Sequence, residues 1–138
     1  MRLFATRLQE GQDLRKGIVD FAIKKGITAG SVISAVGSLT NAKVRMAGDS
    51  NEGMEVREYS GLFEIVSLIG TVSGTNEGDC HLHLSISDKE GKVIGGHLKD
   101  GCKVQTTVEL VIISDEKLQF TREKDDKTGY SELIVKEV

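Results

Sequence analysis

The sequence predicts an α+β fold in which one main helix packs on a largely antiparallel β-sheet. One convincing helical pattern lies near the N-terminus, and the chain after Thr28 consists mostly of short apolar runs typical of strands. With 16 Gly and no Pro, the turns must be made by Gly, Asn and Asp. A chain of 138 residues, 28% charged and 38% hydrophobic, fits a single domain over residues 1–138 with one core.

The helix is predicted from its ends and from its apolar spacing. Asp13 is a suitable N-cap, and Gly26 suits the position that follows the last turn. Lys24 and Lys25 place positive charge where the helix dipole favours it. One face of the helix carries Leu14, Ile18, Phe21, Ala22 and Lys25. We expect this face to pack against the sheet.

The remaining apolar runs predict strands. Turns are expected at 48–53 and 88–91, and a polar loop at 73–79. The last two strands are expected to pair through 125–129 as a solvated edge hairpin. The predicted strands are residues 1–7, 31–36, 42–47, 54–59, 62–72, 80–87, 92–98, 104–114, 118–124 and 131–138.

The sheet is expected to have one face that the chain itself does not cover. A helix of about thirteen residues is too short for a sheet of many strands, yet the runs at 62–72 and 104–113 lack the alternation of a half-exposed strand. A second copy of the chain is the simplest cover, so the sequence predicts a homo-oligomer.

Composition and charge exclude several classes of function. No apolar run reaches the roughly 18–20 residues that span a bilayer, and the start of the chain does not resemble a signal peptide, so we expect no membrane partner and a cytoplasmic location. A net charge of -3 and the lack of Pro, which removes any AT-hook, make DNA binding possible but weak. Neither a Rossmann fingerprint nor a Walker sequence is present.

All three histidines lie within seventeen residues. His81 and His83 are spaced i, i+2 on a predicted strand, so both point to the same side, about 6–7 Å apart at Cα. The turn at 88–91 folds the next strand back and can bring His97 beside them. Gly95 and Gly96 permit close approach of another backbone or a ligand there. Three neutral imidazoles suit zinc, or another divalent transition metal, and leave a fourth position open for water or an anion.

Other polar groups give weaker indications. Cys80 is expected in the core, on the opposite face of the strand from His81, and a Cys-His nucleophile is not expected. Cys102 follows Gly101 in a loop. Glu64 lies in an apolar strand, where a carboxylate is costly to bury unless it is paired. It is a candidate for contact with a partner subunit, or for supporting the metal site.

Together these segments resemble the plants-and-prokaryotes-conserved domain (PPC or PCC domain), in the form that occurs alone in bacteria and archaea. The resemblance extends over nearly the whole chain and rests on three segments: Ala35-Val36-Gly37-Ser38-Leu39, Gly61-Leu62-Phe63-Glu64-Ile65-Val66, and the run from His81-Leu82-His83 through Gly95-Gly96-His97-Leu98 to Val108-Glu109-Leu110.

The resemblance implies an α+β homotrimer with a metal site at His81, His83 and His97. In the plant branch, the segment matching 61–66 binds partners and carries Arg where this chain has Leu62. Three functions follow as hypotheses. The first is a trimeric metal protein that binds a small molecule or anion. The others are a DNA-binding or transcription-associated regulator, and a zinc-dependent hydrolase or lyase; whether the chain is an enzyme stays open.

Overall fold

The computed structural model describes residues 1–48, 54–75 and 78–138. Within these ranges the chain forms eight strands and one helix. In chain order they are β1 (Arg2–Gln9), α1 (Leu14–Lys25), β2 (Gly30–Arg45), β3 (Val56–Ser73), β4 (Asp79–Ser87), β5 (Val93–Leu98), β6 (Lys103–Ser114), β7 (Leu118–Lys124) and β8 (Ser131–Glu137). No helix in the described part of the chain is long and apolar enough to cross a bilayer.

Six strands form one sheet in the order β1-β6-β2-β3-β4-β5, and every pairing in it is antiparallel. The α+β prediction is therefore confirmed. The sheet also curls, because β5 pairs on its other side with the end of β2, where Val44 lies opposite Leu98 and Arg45 opposite His97. This closure brings two strands together that are far apart in the order of the sheet.

The helix begins and ends where the sequence predicts. The Asp13 side chain accepts a hydrogen bond from the Lys16 backbone N–H (3.0 Å), which satisfies a free donor of the first turn. Gly26 adopts the left-handed conformation (φ 63°) that ends the helix. The buried side chains of α1 are Leu14, Ile18 and Ala22. They pack on one face of the sheet, where Leu82, Leu84 and Ile86 of β4 are about 1% exposed.

The middle of the sheet differs from the prediction. The expected strands 31–36 and 42–47 are one continuous strand, β2, and 54–59 and 62–72 are one strand, β3. The residues between them interrupt the register as bulges, with shifts near Gly37 and between Leu39 and Asn41, instead of turning the chain. Of the expected turn at 48–53, residues 49–53 lie outside the described residues. In the expected loop at 73–79, Ser73 is the last residue of β3 and Asp79 is the first residue of β4, and 76–77 lie outside the described residues.

The terminal hairpin also differs from the prediction. β7 and β8 pair as expected, but they form a separate two-stranded sheet and not an edge of the main one. The hairpin is held against the main sheet by hydrogen bonds from the Phe120 N–H to the Thr28 carbonyl (2.9 Å) and from the Ser73 hydroxyl to the Phe120 carbonyl (3.3 Å). The hairpin therefore lies against the end of β3 and the start of β4.

The face of the sheet opposite α1 carries exposed apolar side chains. Leu3 is 68% exposed, Val36 60%, Leu62 63% and Ile69 59%. We call this surface the outer face. The histidines lie on it, because His83 is paired with Ile69.

Candidate metal centre

The three histidines meet on the outer face because of strand register. His81 and His83 are two residues apart on β4, and His97 on β5 lies directly opposite His83. Directly paired residues of neighbouring strands project to the same side, with Cβ atoms about 4.5–5.5 Å apart. Cys80 and Leu82 project to the core instead, where they are 8% and 1% exposed, as the alternation predicts.

The geometry of the cluster fits a tetrahedral metal. One ring nitrogen from each histidine lies within 4.8 Å of those of the other two. The Nε2 atoms of His81 and His83 are 3.3 Å apart. Two nitrogens bound to zinc at about 2.0–2.1 Å with a tetrahedral angle are separated by about 3.4 Å. In addition, Nδ1 of His97 is buried without a hydrogen-bond partner in the described part of the chain, which is costly for a nitrogen unless a ligand satisfies it.

The surroundings keep two of these imidazoles in the neutral form that binds metals. Burial, followed by the positive charge of Arg45, lowers the pKa of His97 from 6.5 to about 4. Burial and then Arg122 lower the pKa of His81. At neutral pH these two rings carry no proton that a metal would have to displace.

Two arginines near the histidines were missed by sequence reasoning. Arg45 ends β2 and lies beside His97 because β5 pairs with that end of the strand. Arg122 comes from the terminal hairpin, where it donates to Asp79 (2.8 Å) and to the Thr71 hydroxyl (3.1 Å). No local motif marks either residue, since both reach the site only through long-range packing. The sequence could have indicated one residue of this group, since the i, i+2 spacing places Asp79, the partner of Arg122, on the same face of β4 as His81.

Gly95 and Gly96 lie where β5 packs closely between β2 and β4. A Cβ at Gly96 would be 2.6 Å from the carbonyl oxygen of Arg45, and one at Gly95 would overlap the carbonyl oxygen of Leu84. Side chains at these two positions would force β5 away from β2 and β4. The two glycines therefore allow the approach that places His97 between His83 and Arg45.

Neither cysteine belongs to the histidine cluster. Burial raises the pKa of Cys80 to about 11, and burial likewise raises the pKa of Cys102 to about 11, so neither supplies a thiolate at neutral pH. Cys102 is fully buried and accepts a hydrogen bond from the Lys43 N–H (3.1 Å). Both residues are part of the core.

Glu64 is not brought to the histidines within one chain. It is exposed on β3 and lies opposite Ser87, four residues along β4 from His83. That separation corresponds to about 13 Å along a strand. Within the chain, Glu64 is therefore too far away to support the metal ligands directly, and contact with a partner subunit stays a prediction.

Comparisons with known proteins agree with this fold. The family model of the Plants and Prokaryotes Conserved (PCC) domain matches residues 1–116. The bifunctional protein GlmU of Synechococcus sp. (strain JA-3-3Ab) is 37% identical over 138 residues, which cover 100% of this chain and 21% of that protein. The chain thus spans about one fifth of the length of this curated relative.

Solved structures are similar over almost the whole chain. A hypothetical protein from Salmonella cholerae-suis has a TM-score of 0.88 and 36% identity, covering 99% of this chain and 94% of that one. A metal-containing protein from Archaeoglobus fulgidus has a TM-score of 0.83 and 29% identity, covering 97% and 94% respectively.

Proposed function

The chain belongs to the Plants and Prokaryotes Conserved (PCC) domain family, and from this premise we propose that it is a homotrimeric metal-binding protein. The metal is zinc, or another divalent transition metal, held by His81, His83 and His97. The fourth coordination position receives a small molecule or an anion.

The convergence of three ring nitrogens on rigid strands carries the proposal. A pair of neutral imidazoles 3.3 Å apart can share one hydrogen bond, but this leaves the third ring without a role. A cation satisfies all three nitrogens at once, including the orphaned Nδ1 of His97 if that nitrogen is the ligand. The similarity to a metal-containing protein of Archaeoglobus fulgidus gives further support.

The donor set indicates the chemistry of the site. Three nitrogen ligands suit zinc and leave the metal with an open position, as in catalytic sites, whereas structural zinc sites have four protein ligands. When bound, the metal supplies a Lewis acid that polarises a ligand oxygen. The protein residues fix the position of that ligand and exclude part of the solvent around it. The site is therefore best suited to bind a small oxygen-containing molecule.

The trimer is supported by the outer face. Four apolar side chains on it are each 59–68% exposed in the single chain: Leu3, Val36, Leu62 and Ile69. Large exposed apolar patches are unusual in monomers and mark association surfaces. A closed ring of three copies can cover this face in every subunit.

The test is the metal content of protein purified without added metal and without a histidine tag. We expect one zinc, or one other transition-metal ion, per chain. His83→Ala removes one of three ligands and should lower the retained metal at least tenfold after dialysis. Ser85→Ala is the matched control, since Ser85 is two residues further along the same face of β4 and should retain the full content.

Two results would contradict the proposal. The first is native protein that neither contains nor takes up a transition metal. The second is full metal retention when His81, His83 and His97 are all replaced. Circular dichroism of each variant shows whether the fold persists, which we expect because Leu82, Leu84 and Ile86 form the core on the opposite side of β4.

A further inference from the structure

We propose that the cavity between the histidines and the terminal hairpin binds a small carboxylate that carries a neighbouring oxygen. One of its oxygen groups binds the metal and the acid group lies on Arg45. This inference rests on the proposed function, because the metal at the three histidines is one of its two contacts.

The cavity has the size and the lining of a small-molecule site. Its volume is about 460 Å³, within the range of about 300–1,000 Å³ that ligand pockets have. Both His81 and His97 line it, together with hairpin residues Tyr130, Ser131 and Glu132. The lining residues that matter here are Arg45, His81, His97, Arg122, Tyr130 and Glu132.

The charge of the cavity favours an anion although the whole chain is acidic. Three arginines line it, Arg15, Arg45 and Arg122, against two carboxylates, Asp79 and Glu132. A divalent metal adds two further positive charges. The cavity therefore has a local positive potential within a protein whose net charge is -3.

Arg45 differs from the other two arginines because no carboxylate of the described residues pairs with its charge. Arg122 donates to Asp79 at 2.8 Å, and Arg15 lies 3.1 Å from Asp100. The ion pairs of the described residues do not include Arg45, and its Nε atom is buried without a hydrogen-bond partner. A buried N–H of a guanidinium is costly to leave unsatisfied. A carboxylate would satisfy it and accept two parallel hydrogen bonds from the guanidinium fork.

The position of Arg45 sets the size of the ligand. Because Arg45 is paired with His97 across β2 and β5, their Cβ atoms lie about 4.5–5.5 Å apart on the same face. The Arg45 guanidinium also lies over the Tyr130 ring, with its carbon 5.7 Å from the ring centroid. A molecule of a few heavy atoms can thus contact the metal and Arg45 together. Phosphate is also negatively charged and can accept two hydrogen bonds from the fork, so it is the competing anion that the experiment compares.

The experiment compares glycolate with acetate on protein loaded with cobalt. Cobalt replaces zinc in nitrogen sites and gives visible absorption that changes when a ligand enters its coordination shell. The two acids differ by one hydroxyl group. We expect glycolate to bind at least tenfold more tightly than acetate, because only glycolate can hold the metal and Arg45 at once. Inorganic phosphate, titrated in parallel, should bind more weakly than glycolate.

Variants of Arg45 test the second contact. Arg45→Gln should lower the affinity for glycolate at least tenfold and the affinity for acetate much less, because acetate can enter the cobalt shell only with its single acid group. Arg45→Lys keeps the charge without the fork and should give an intermediate loss. The matched control is Arg57→Gln, which changes an exposed β3 arginine that is paired with Glu55 and should bind glycolate like the native protein.

The outcomes separate this inference from the proposed function. Failure of the native chain to take up cobalt overturns the proposed function, and with it this inference. Full cobalt uptake with equal affinities for glycolate and acetate overturns only the inference. Unchanged glycolate binding by Arg45→Gln, or tighter binding of phosphate than of glycolate, overturns it as well. Cobalt content is measured on every variant, so that loss of the metal is not mistaken for loss of the Arg45 contact.

Discussion

His97 is in a conflicting electrostatic position. Burial, followed by the charge of Arg45, lowers the pKa of His97 and so keeps the ring neutral for a metal, but the positive charge of Arg45 also repels the metal ion. An anion between Arg45 and the metal would relieve this repulsion. Metal and anion are therefore expected to increase each other's affinity, because binding linkage is reciprocal.

The low pKa of His97 predicts how acid affects the metal-free protein. In the unfolded chain the ring takes up a proton near its ordinary pKa of 6.5, whereas in the folded chain it does so only near pH 4. Between these values the unfolded state binds more protons, so the free energy of unfolding falls as the pH is lowered from about 6.5 to 4. We expect the melting temperature of metal-free protein to fall through this window and to be unaffected by His97 above it.

His97→Gln is the comparison that isolates this residue. The variant lacks the titrating ring, so its melting temperature should fall less between pH 6.5 and pH 4 than that of the native chain. Differential scanning calorimetry of both metal-free proteins measures the difference. If the melting temperatures of the two proteins fall equally with pH, His97 does not have a lowered pKa.

The histidine cluster could be predicted from the sequence, but the position of Arg45 could not. The reason is that the first depends on contacts between residues near in sequence and the second on a contact between residues far apart. The pair His81 and His83 depends on strand alternation, which is a local property. The approach of His97 depends on one short turn, and Gly95-Gly96 marks it. Arg45 lies 52 positions before its partner His97, and nothing near either residue encodes that pairing.

At the level of elements, the helix and most strand positions could be predicted from local patterns. The two longest strands could not. Glycine and polar residues near Gly37, Asn41 and Gly61 are typical of turns, but here they bend continuous strands. A bulge and a turn share this composition, and only the pairing of the neighbouring strands distinguishes them. The bends matter for the site because they curl the sheet until the end of β2 meets β5.

Arg122 adds side-chain contacts to the hydrogen bonds through Phe120 that hold the terminal hairpin against the sheet. Its guanidinium donates to Asp79 at the start of β4 and to Thr71 on β3. Arg122→Gln removes the ion pair with Asp79, and the shorter glutamine side chain no longer reaches Thr71. The hairpin should therefore separate from the sheet more often. We expect faster amide hydrogen exchange in 118–137, by about tenfold for a loss of about 1.4 kcal/mol, the size expected for a partly buried charged hydrogen bond.

Lys136→Gln is the matched control for the hairpin. Lys136 lies 3.9 Å from Glu123 in an exposed ion pair within the hairpin itself, and such pairs contribute little. Its exchange rates should match those of the native protein. Unchanged exchange in Arg122→Gln would show that backbone contacts alone, such as the one from Phe120 to Thr28, hold the hairpin in place.

For the whole molecule, charge argues against tight DNA binding. The chain has 21 acidic and 18 basic residues, and the arginines of the cavity are partly paired. Few phosphate contacts are available, so binding to duplex DNA should be weak and should fade as salt increases. We expect no nanomolar complex at about 0.15 M salt, the range of specific binders, in a gel-shift or anisotropy titration. A sequence-selective complex of that affinity would instead favour the regulatory function.

The outer face makes the oligomer prediction specific. Val36 lies on central strand β2, is 60% exposed, and is paired with Glu109. Val36→Lys therefore adds a charge that Glu109 can pair within one chain, but that is costly to bury between chains. We expect light scattering to show a trimer for the native protein at micromolar concentration and a smaller species for the variant. Ile23→Lys, on the opposite side at 43% exposure, should remain trimeric. A monomeric native protein, or a trimeric Val36→Lys, would exclude this face as the interface.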